Sequence, residues 1–168
     1  WNESGLDCDL IVATMWGEWH TKPHYWGSGA FHGDRGPVAF WVRSATLHPG
    51  VVFMQGHIGW GRHERDLFSI EVDKEGRLSA FIRDVAYDYH RISAREPTWI
   101  DRDWQHIAAS WDRSYGLNLF HNGEEIGSTW GEDAWWLTGQ PGLFSPFLPE
   151  ASYDEIAFFD RPLEPGEI

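Results

Sequence analysis

The sequence predicts an all-β fold, a sandwich or barrel of short antiparallel strands, and three observations carry that prediction. First, runs of five to eight residues alternate apolar and polar along most of the chain, the period of a half-buried strand. Second, glycine and proline turn signals separate these runs at short spacing: Pro49-Gly50, Lys74-Glu75-Gly76, Glu96-Pro97, Asn122-Gly123 and Gln140-Pro141-Gly142. Third, no segment of ten or more residues carries a helical period.

The expected strands, in order, are Leu10–Thr14, Val38–Arg43, Val51–Ile58, Leu67–Val72, Arg77–Arg83, Val85–Ile92, Gln105–Trp111, Leu117–His121, Glu124–Trp130, Gly142–Phe147 and Tyr153–Phe159. Asp112–Gly116 is polar and ends in glycine, so the chain turns there. Asn122-Gly123 marks a two-residue hairpin, because both central residues of a type I′ turn need positive φ. Alternation also proposes inward faces. Val38, Phe40 and Val42 form one set. Phe68, Ile70 and Val72 form another, paired through the Gly76 turn with Leu78, Ala80 and Ile82. Ile107, Ala109 and Trp111 face Leu117 and Leu119, and Ile156 with Phe158 closes the set. Two sheets packing such faces about 10 Å apart make a jelly-roll core. Trp1–Gly29 shows no clear period after Leu10–Met15, and its Trp16, Trp19, Tyr25 and Trp26 are expected in an aromatic-rich loop.

Three stretches carry a resemblance. Trp104-Gln105-His106-Ile107-Ala108-Ala109, then Trp111-Asp112, an apolar strand, Asn122-Gly123 and a return strand resemble the laminin G-like, concanavalin A-like jelly-roll domains. Tyr153–Leu163 followed by Glu164–Ile168 is similar to that family's closing strand and the short helix after it. Phe31–Ser44, with Phe40-Trp41-Val42-Arg43, resembles its early strand. The resemblance implies a two-sheet antiparallel jelly-roll sandwich and a lectin-like binding domain. It also implies a secreted or extracellular setting, and a calcium ion at the sheet rim with Asp154 as the matching ligand.

Length fits one domain over residues 1–168. The chain starts at Trp1 and stops at Ile168, which leads to the expectation of a piece excised from a larger protein. Net charge is −13, from 13 basic and 26 acidic residues. Such a surface repels phosphate backbones, so nucleic acid is not an expected partner. Anionic membranes and strongly sulfated sugars are disfavoured in the same way, although Arg62, His63 and Arg65 lie close in sequence. No apolar run approaches the roughly 20 residues of a membrane helix. Cys8 is the only cysteine, so no internal disulfide forms.

Twelve tryptophans in 168 residues are more than a core this size absorbs. Trp60 sits between Gly59 and Gly61, followed by Arg62 and His63, and Trp135-Trp136 lies in another loop. Exposed indoles stack on sugar rings while polar neighbours take the hydroxyls. The expected ligand site is therefore Trp60, Trp135 and Trp136 with His57, Arg62 and His63. The structural counterpart is that these rings seal the sandwich ends or pack on a neighbouring domain.

Catalytic and metal motifs are weaker. Glu71-Val72-Asp73-Lys74-Glu75 has the E-x-D-x-E spacing with which glucanases of the concanavalin A-like fold place their carboxylates. Lys74-Glu75-Gly76 reads as the hairpin turn, however, which takes Glu75 off the strand. His20-x-x-x-His24 would suit two helical ligands, but Pro23 argues against a helix. His57 and His63 bracket Trp60 without a zinc-like frame. Asn2-Glu3-Ser4 fits a glycosylation acceptor. The expectation is a non-catalytic module, not an enzyme, that binds a neutral or weakly charged glycan in a secreted multidomain protein. A protein-interaction or structural domain packing on its neighbour is the alternative, and a glucanase-type hydrolase or lyase relative the third.

Overall fold

The computed structural model describes residues 25–26, 35–57, 65–83, 89–112, 116–129, 143–146, 148 and 150–159. They form eleven strands and, among the described residues, no helix: β1 (Tyr25–Trp26), β2 (Arg35–Ser44), β3 (Gly50–His57), β4 (Arg65–Val72), β5 (Leu78–Arg83), β6 (Tyr89–Ser93), β7 (Gln105–Asp112), β8 (Gly116–His121), β9 (Glu124–Thr129), β10 (Leu143–Pro146) and β11 (Ala151–Phe158). Two antiparallel sheets result, one in the order β1-β10-β3-β4-β5-β6 and one in the order β11-β2-β7-β8-β9. Ten of these strands overlap the expected ones. The expected Leu10–Thr14 strand, the closing helix and the Gln140–Gly142 turn lie outside the described residues.

One expectation is corrected. Tyr25 and Trp26 belong to a strand rather than a loop, pairing antiparallel with Phe144 and Leu143. Two residues are too few to show a period in sequence, yet enough for their backbone to pair at a sheet edge.

The expected inward faces meet. Val38, Phe40, Val42, Ile107, Ala109, Trp111, Leu117 and Leu119 from the five-stranded sheet pack on Phe68, Ile70, Val72, Leu78, Ala80 and Ile82 from the other. Aromatic rings bridge the two layers. Phe40 stacks on Phe53 at 5.0 Å between centroids, and Phe68 tilts against Trp111 at 5.1 Å. Gly36 lies opposite Trp111 in the β2–β7 ladder, and a Cβ there would sit 3.0 Å from the indole. The missing side chain lets the ring lie flat over β2.

Two irregular positions in the ladders are compensated. The β3–β4 register shifts between Val51 and Phe53, so both Val52 and Phe53 turn inward. The Val52 carbonyl then accepts a 2.6 Å hydrogen bond from the Tyr153 hydroxyl of the opposite sheet. Pro37 has no N–H, yet it lies inside β2. In an antiparallel ladder a residue's N–H and C=O face the same neighbour. The Pro37 carbonyl accepts from Phe159 N, on the β11 side, where pairing has already ended at Phe158. The β2–β7 ladder therefore loses nothing.

Both main hairpins use the expected turn chemistry. Asn122 and Gly123 have φ of 51° and 83°, the type I′ geometry. In the β4–β5 turn, Gly76 has φ 83° and its N–H donates to the Asp73 carbonyl. The Asp73 Oδ1 accepts from the backbone N–H of Glu75 and of Arg77 at 3.0 and 2.9 Å.

Because Phe53 contacts both Phe40 and Phe158 across the sheets, Phe53→Ala should cost about 3–5 kcal/mol of stability. Chemical denaturation would check this, and a loss below about 1 kcal/mol would contradict a packed inter-sheet seam.

Candidate functional site

The tryptophans expected to bind ligand lie in segments the structure does not describe: Trp60, Arg62, His63, Trp135 and Trp136 are all outside the described residues. Of His57 only the backbone is described, ending β3 opposite Arg65. The site that can be built comes from the outer face of the five-stranded sheet.

There β2 and β7 lie side by side, with Trp41 opposite His106. Since Phe40 and Val42 point into the core, Trp41 and Arg43 must point outward. The outward face has two halves. In one, Ala39, Ala108 and Phe120 are buried together with Phe159 against them. In the other, Trp41 is 36% exposed and Trp104 is 39% exposed. The Trp41 and His106 rings lie 5.1 Å apart, tilted. One step further along, the Arg43 guanidinium carbon sits 4.9 Å from the Trp104 ring centroid, a cation–π contact. Asp154 pairs with Trp41 and Ser152 with Arg43 on the β11 side. Two adjacent rungs thus present Asp154, Trp41 and His106, then Ser152, Arg43 and Trp104.

Trp104 precedes β7 in a loop, yet the loop is fastened at both ends. Arg102 N donates to the Ser44 carbonyl at 2.8 Å, with Arg102 at φ 69°. Gln105 is fully buried beneath. Its Oε1 accepts from Ile100 N at 2.9 Å and its Nε2 donates to the Ile100 carbonyl at 2.8 Å. This double tie fixes the amide orientation. Gln105 Oε1, 3.0 Å from His121 Nε2, can then only accept, so the imidazole carries its proton on Nε2 in this bond.

Burial pushes the His121 pKa down, against the attraction of Glu124 and with a small push from His106. His106 is likewise lowered by burial, opposed by Glu155. Both imidazoles are thus held neutral as ring donors or acceptors rather than as cations.

The carboxylates of the E-x-D-x-E stretch do not converge on a cleft. Glu71 accepts from Arg91 at 2.9 Å, and Arg91 also holds Ser79. Arg77 pairs with Asp73 at 2.8 Å and with Glu75 at 3.2 Å. Glu75 stands in the hairpin turn, as its position before Gly76 implied. The backbone N–H of Arg77, then its guanidinium, hold the Asp73 carboxyl below the ordinary carboxylate range, the reverse of what a general acid needs.

Asp154 is exposed at a β11 irregularity, and its Oδ1 accepts from Glu155 N at 2.9 Å. Among the described residues no group of three or more His, Cys, Asp or Glu could hold a metal ion. A second concavity, an open groove of about 720 Å³, runs between the edge strands β6 and β9, with Arg95, Glu96, Thr98, Glu125 and Ser128 in its lining.

Comparison with known proteins bears on this geometry. The family model described as the concanavalin A-like lectin/glucanases superfamily matches residues 26–168. The chain belongs to this superfamily. No curated protein matches it. Among solved structures, the binding domain of Paraclostridial Mosquitocidal Protein 1 is similar, with a TM-score of 0.66 at 13% identity over 90% of this chain and 40% of that one. The binding domain of botulinum neurotoxin serotype D gives 0.64 at 14% identity, over 87% of this chain and 38% of that one. The serotype D ligand binding domain in complex with N-acetylneuraminic acid gives the same TM-score, identity and coverage. At such identity the likeness is one of fold, and this chain spans about two-fifths of each of those chains.

Sequence reasoning missed Trp41 and Trp104 as surface residues, although it used both as fold markers. It also missed Gln105 and His121. Both stand in the inward register, two residues before Ile107 and two after Leu119. A polar residue at an inward position was the available signal.

Two outcomes are expected of this network. Between the lowered folded pKa and the ordinary 6.5 of histidine, the unfolded chain binds more protons, so stability rises with pH. Stability present above pH 6.5 should therefore be lost as pH falls through the folded values. Urea midpoints between pH 5 and 8 should show this slope, reduced but not abolished in His121→Gln, where His106 still titrates. An identical slope in that variant would rule His121 out. Gln105→Ala should cost at least about 1–3 kcal/mol, because it strands the groups of Ile100 and His121 it now satisfies.

Proposed function

We propose that the chain is a non-catalytic, lectin-like glycan-binding module serving a secreted multidomain protein, with the Trp41–Trp104 face as its binding surface. The observation that carries this is two half-exposed indoles held over one rigid sheet face, with His106, Arg43, Ser152 and Asp154 between and beside them. Indoles supply flat apolar area to a sugar ring, and the polar neighbours supply hydrogen bonds to hydroxyls. Trp41 and Arg43 stand on a strand, and the loop that carries Trp104 is tied at Ser44 and Gln105, so the surface is better ordered than a free loop would be. The structural relatives are named as binding domains, which supports the reading.

Against catalysis by the E-x-D-x-E stretch stands the engagement of Glu71, Asp73 and Glu75 by arginines, which leaves no two of these three arranged as acid and nucleophile. The second reading, a protein-interaction domain, is favoured by one observation: Ile100, in the loop that precedes Trp104, is 44% exposed and adds apolar surface that a sugar does not need.

Trp41→Ala and Trp104→Ala decide between glycan binding and a structural role for these rings. Each should abolish binding on a glycan array while leaving the thermal melt within a few degrees of the parent. A large fall in melting temperature, with no glycan bound by the parent, would favour the structural role.

Calcium is a separate proposal. Asp154 Oδ2 is the oxygen left for an ion, since Oδ1 serves Glu155 N, and calcium wants six to eight oxygens. Backbone carbonyls would have to complete the set. An ion binding only the folded state stabilises by about 2.7 kcal/mol at a hundredfold excess over Kd. Calcium added to metal-stripped protein should then raise the melting temperature. Asp154→Asn, which keeps the Oδ1 acceptor, should remove that response. A melt indifferent to calcium in the parent would end the proposal.

A further inference from the structure

The open face contains a cation that the fold itself does not use. Arg77 is committed to Asp73 and Glu75, and Arg91 to Glu71. Arg43 is exposed, stacked on Trp104 and, among the described residues, without any carboxylate partner. Arg35, Arg95 and Arg102 are also exposed with no carboxylate partner among the described residues, so an unpaired guanidinium is not by itself distinctive. Arg43 is set apart by the aromatic ring it lies on, which limits its freedom and leaves its N–H donors open.

We infer that Arg43 is a specificity-determining residue that selects a glycan bearing an isolated carboxylate, a sialic or uronic acid in an otherwise neutral chain. The inference deepens the glycan-binding reading and rests on it. A guanidinium pairs a carboxylate through two parallel N–H···O bonds, which a neutral hydroxyl cannot match. Trp104 beneath it offers the apolar floor for the same sugar, and Trp41 with neutral His106 takes the neighbouring residue. The next rung limits the charge to one. Asp154 is exposed opposite Trp41, and Glu155 follows it in chain and acts on His106. A second negative group on the ligand would meet these carboxylates, and the net charge of −13 repels a polyanion at longer range. The selected ligand is thus sparsely acidic, at the charged end of the neutral or weakly charged range expected from the sequence.

Titration calorimetry with matched sugar pairs tests this on the full chain. The pairs are 3′-sialyllactose against lactose, and a glucuronic acid-branched xylo-oligosaccharide against its unbranched form. A heparin hexasaccharide serves as the polyanion. One acidic member should bind about ten- to a hundredfold tighter than its neutral counterpart, the size of a charge-assisted pair. Which pair responds identifies the source of the carboxylate. Arg43→Gln should erase the preference without moving the melting temperature, and Arg43→Lys should restore only part of it. Trp104→Ala should weaken both members of the pair. Equal binding of acidic and neutral sugars by the parent overturns the inference and leaves glycan binding standing. So does a preference that survives Arg43→Gln, or tightest binding to heparin. Binding of none of these sugars overturns both readings.

Discussion

The contact between Phe40 and Phe53 sets the phase of everything on the outer surface. Each sheet has one face to bury, and the two faces meet through rings spaced 5.0 Å apart. With Phe40 committed inward, Trp41 and Arg43 have no choice but to face out. A register slip of one residue in β2 would exchange Phe40 for Trp41 and dismantle core and outer aromatic face together. The hydrogen bond from Tyr153 to the Val52 carbonyl ties β11 to the opposite sheet at the same level. It therefore fixes the strand that brings Asp154 and Ser152 beside β2.

A second constraint is polar and lies just under the first. Gln105 occupies an inward position where an apolar residue would pack more simply. Its amide instead closes the loop at Ile100 and braces His121, so three backbone and side-chain groups are satisfied by one residue. This explains why Trp104 stands in an ordered place despite being outside the strand. The cost of burying an amide is offset by those hydrogen bonds, and the gain is a surface ring that needs little ordering when a ligand arrives.

Most of the sheet structure was legible because alternation is a direct consequence of strand geometry. Val38, Phe40 and Val42, or Phe68, Ile70 and Val72, could be assigned inward from spacing alone. The turns were legible for a similar reason, since Asn122-Gly123 and Gly76 supply conformations other residues resist. The exposed aromatic face was not. Alternation says that Ala39, Trp41 and Arg43 share a face, but not that Ala39 is covered while Trp41 is open. That difference depends on Phe120 and Phe159, which come from distant parts of the chain. Attention went instead to glycine-flanked tryptophans such as Trp60, whose setting is conspicuous in one dimension. The strand at Tyr25 escaped because its partner, Phe144, is remote in sequence.

The β6–β9 side of the sandwich has a consequence for how such a domain lives among copies of itself. Gly127 places β9 beside β6, where an added Cβ would meet the Ser93 carbonyl in ordinary contact at 3.5 Å. Strand β9 is short, carries Glu124 and Glu125, and is irregular between Leu119 and Phe120 of its partner. Short, charged, bulged edges are poor templates for another chain's backbone. The domain can therefore be crowded beside identical domains, or repeated along one polypeptide, without its sheets fusing edge to edge on this side. Two glutamates on a short, bulged strand thus make this margin resistant to aggregation, while the exposed indoles lie along β2 and the start of β7, inside the same sheet.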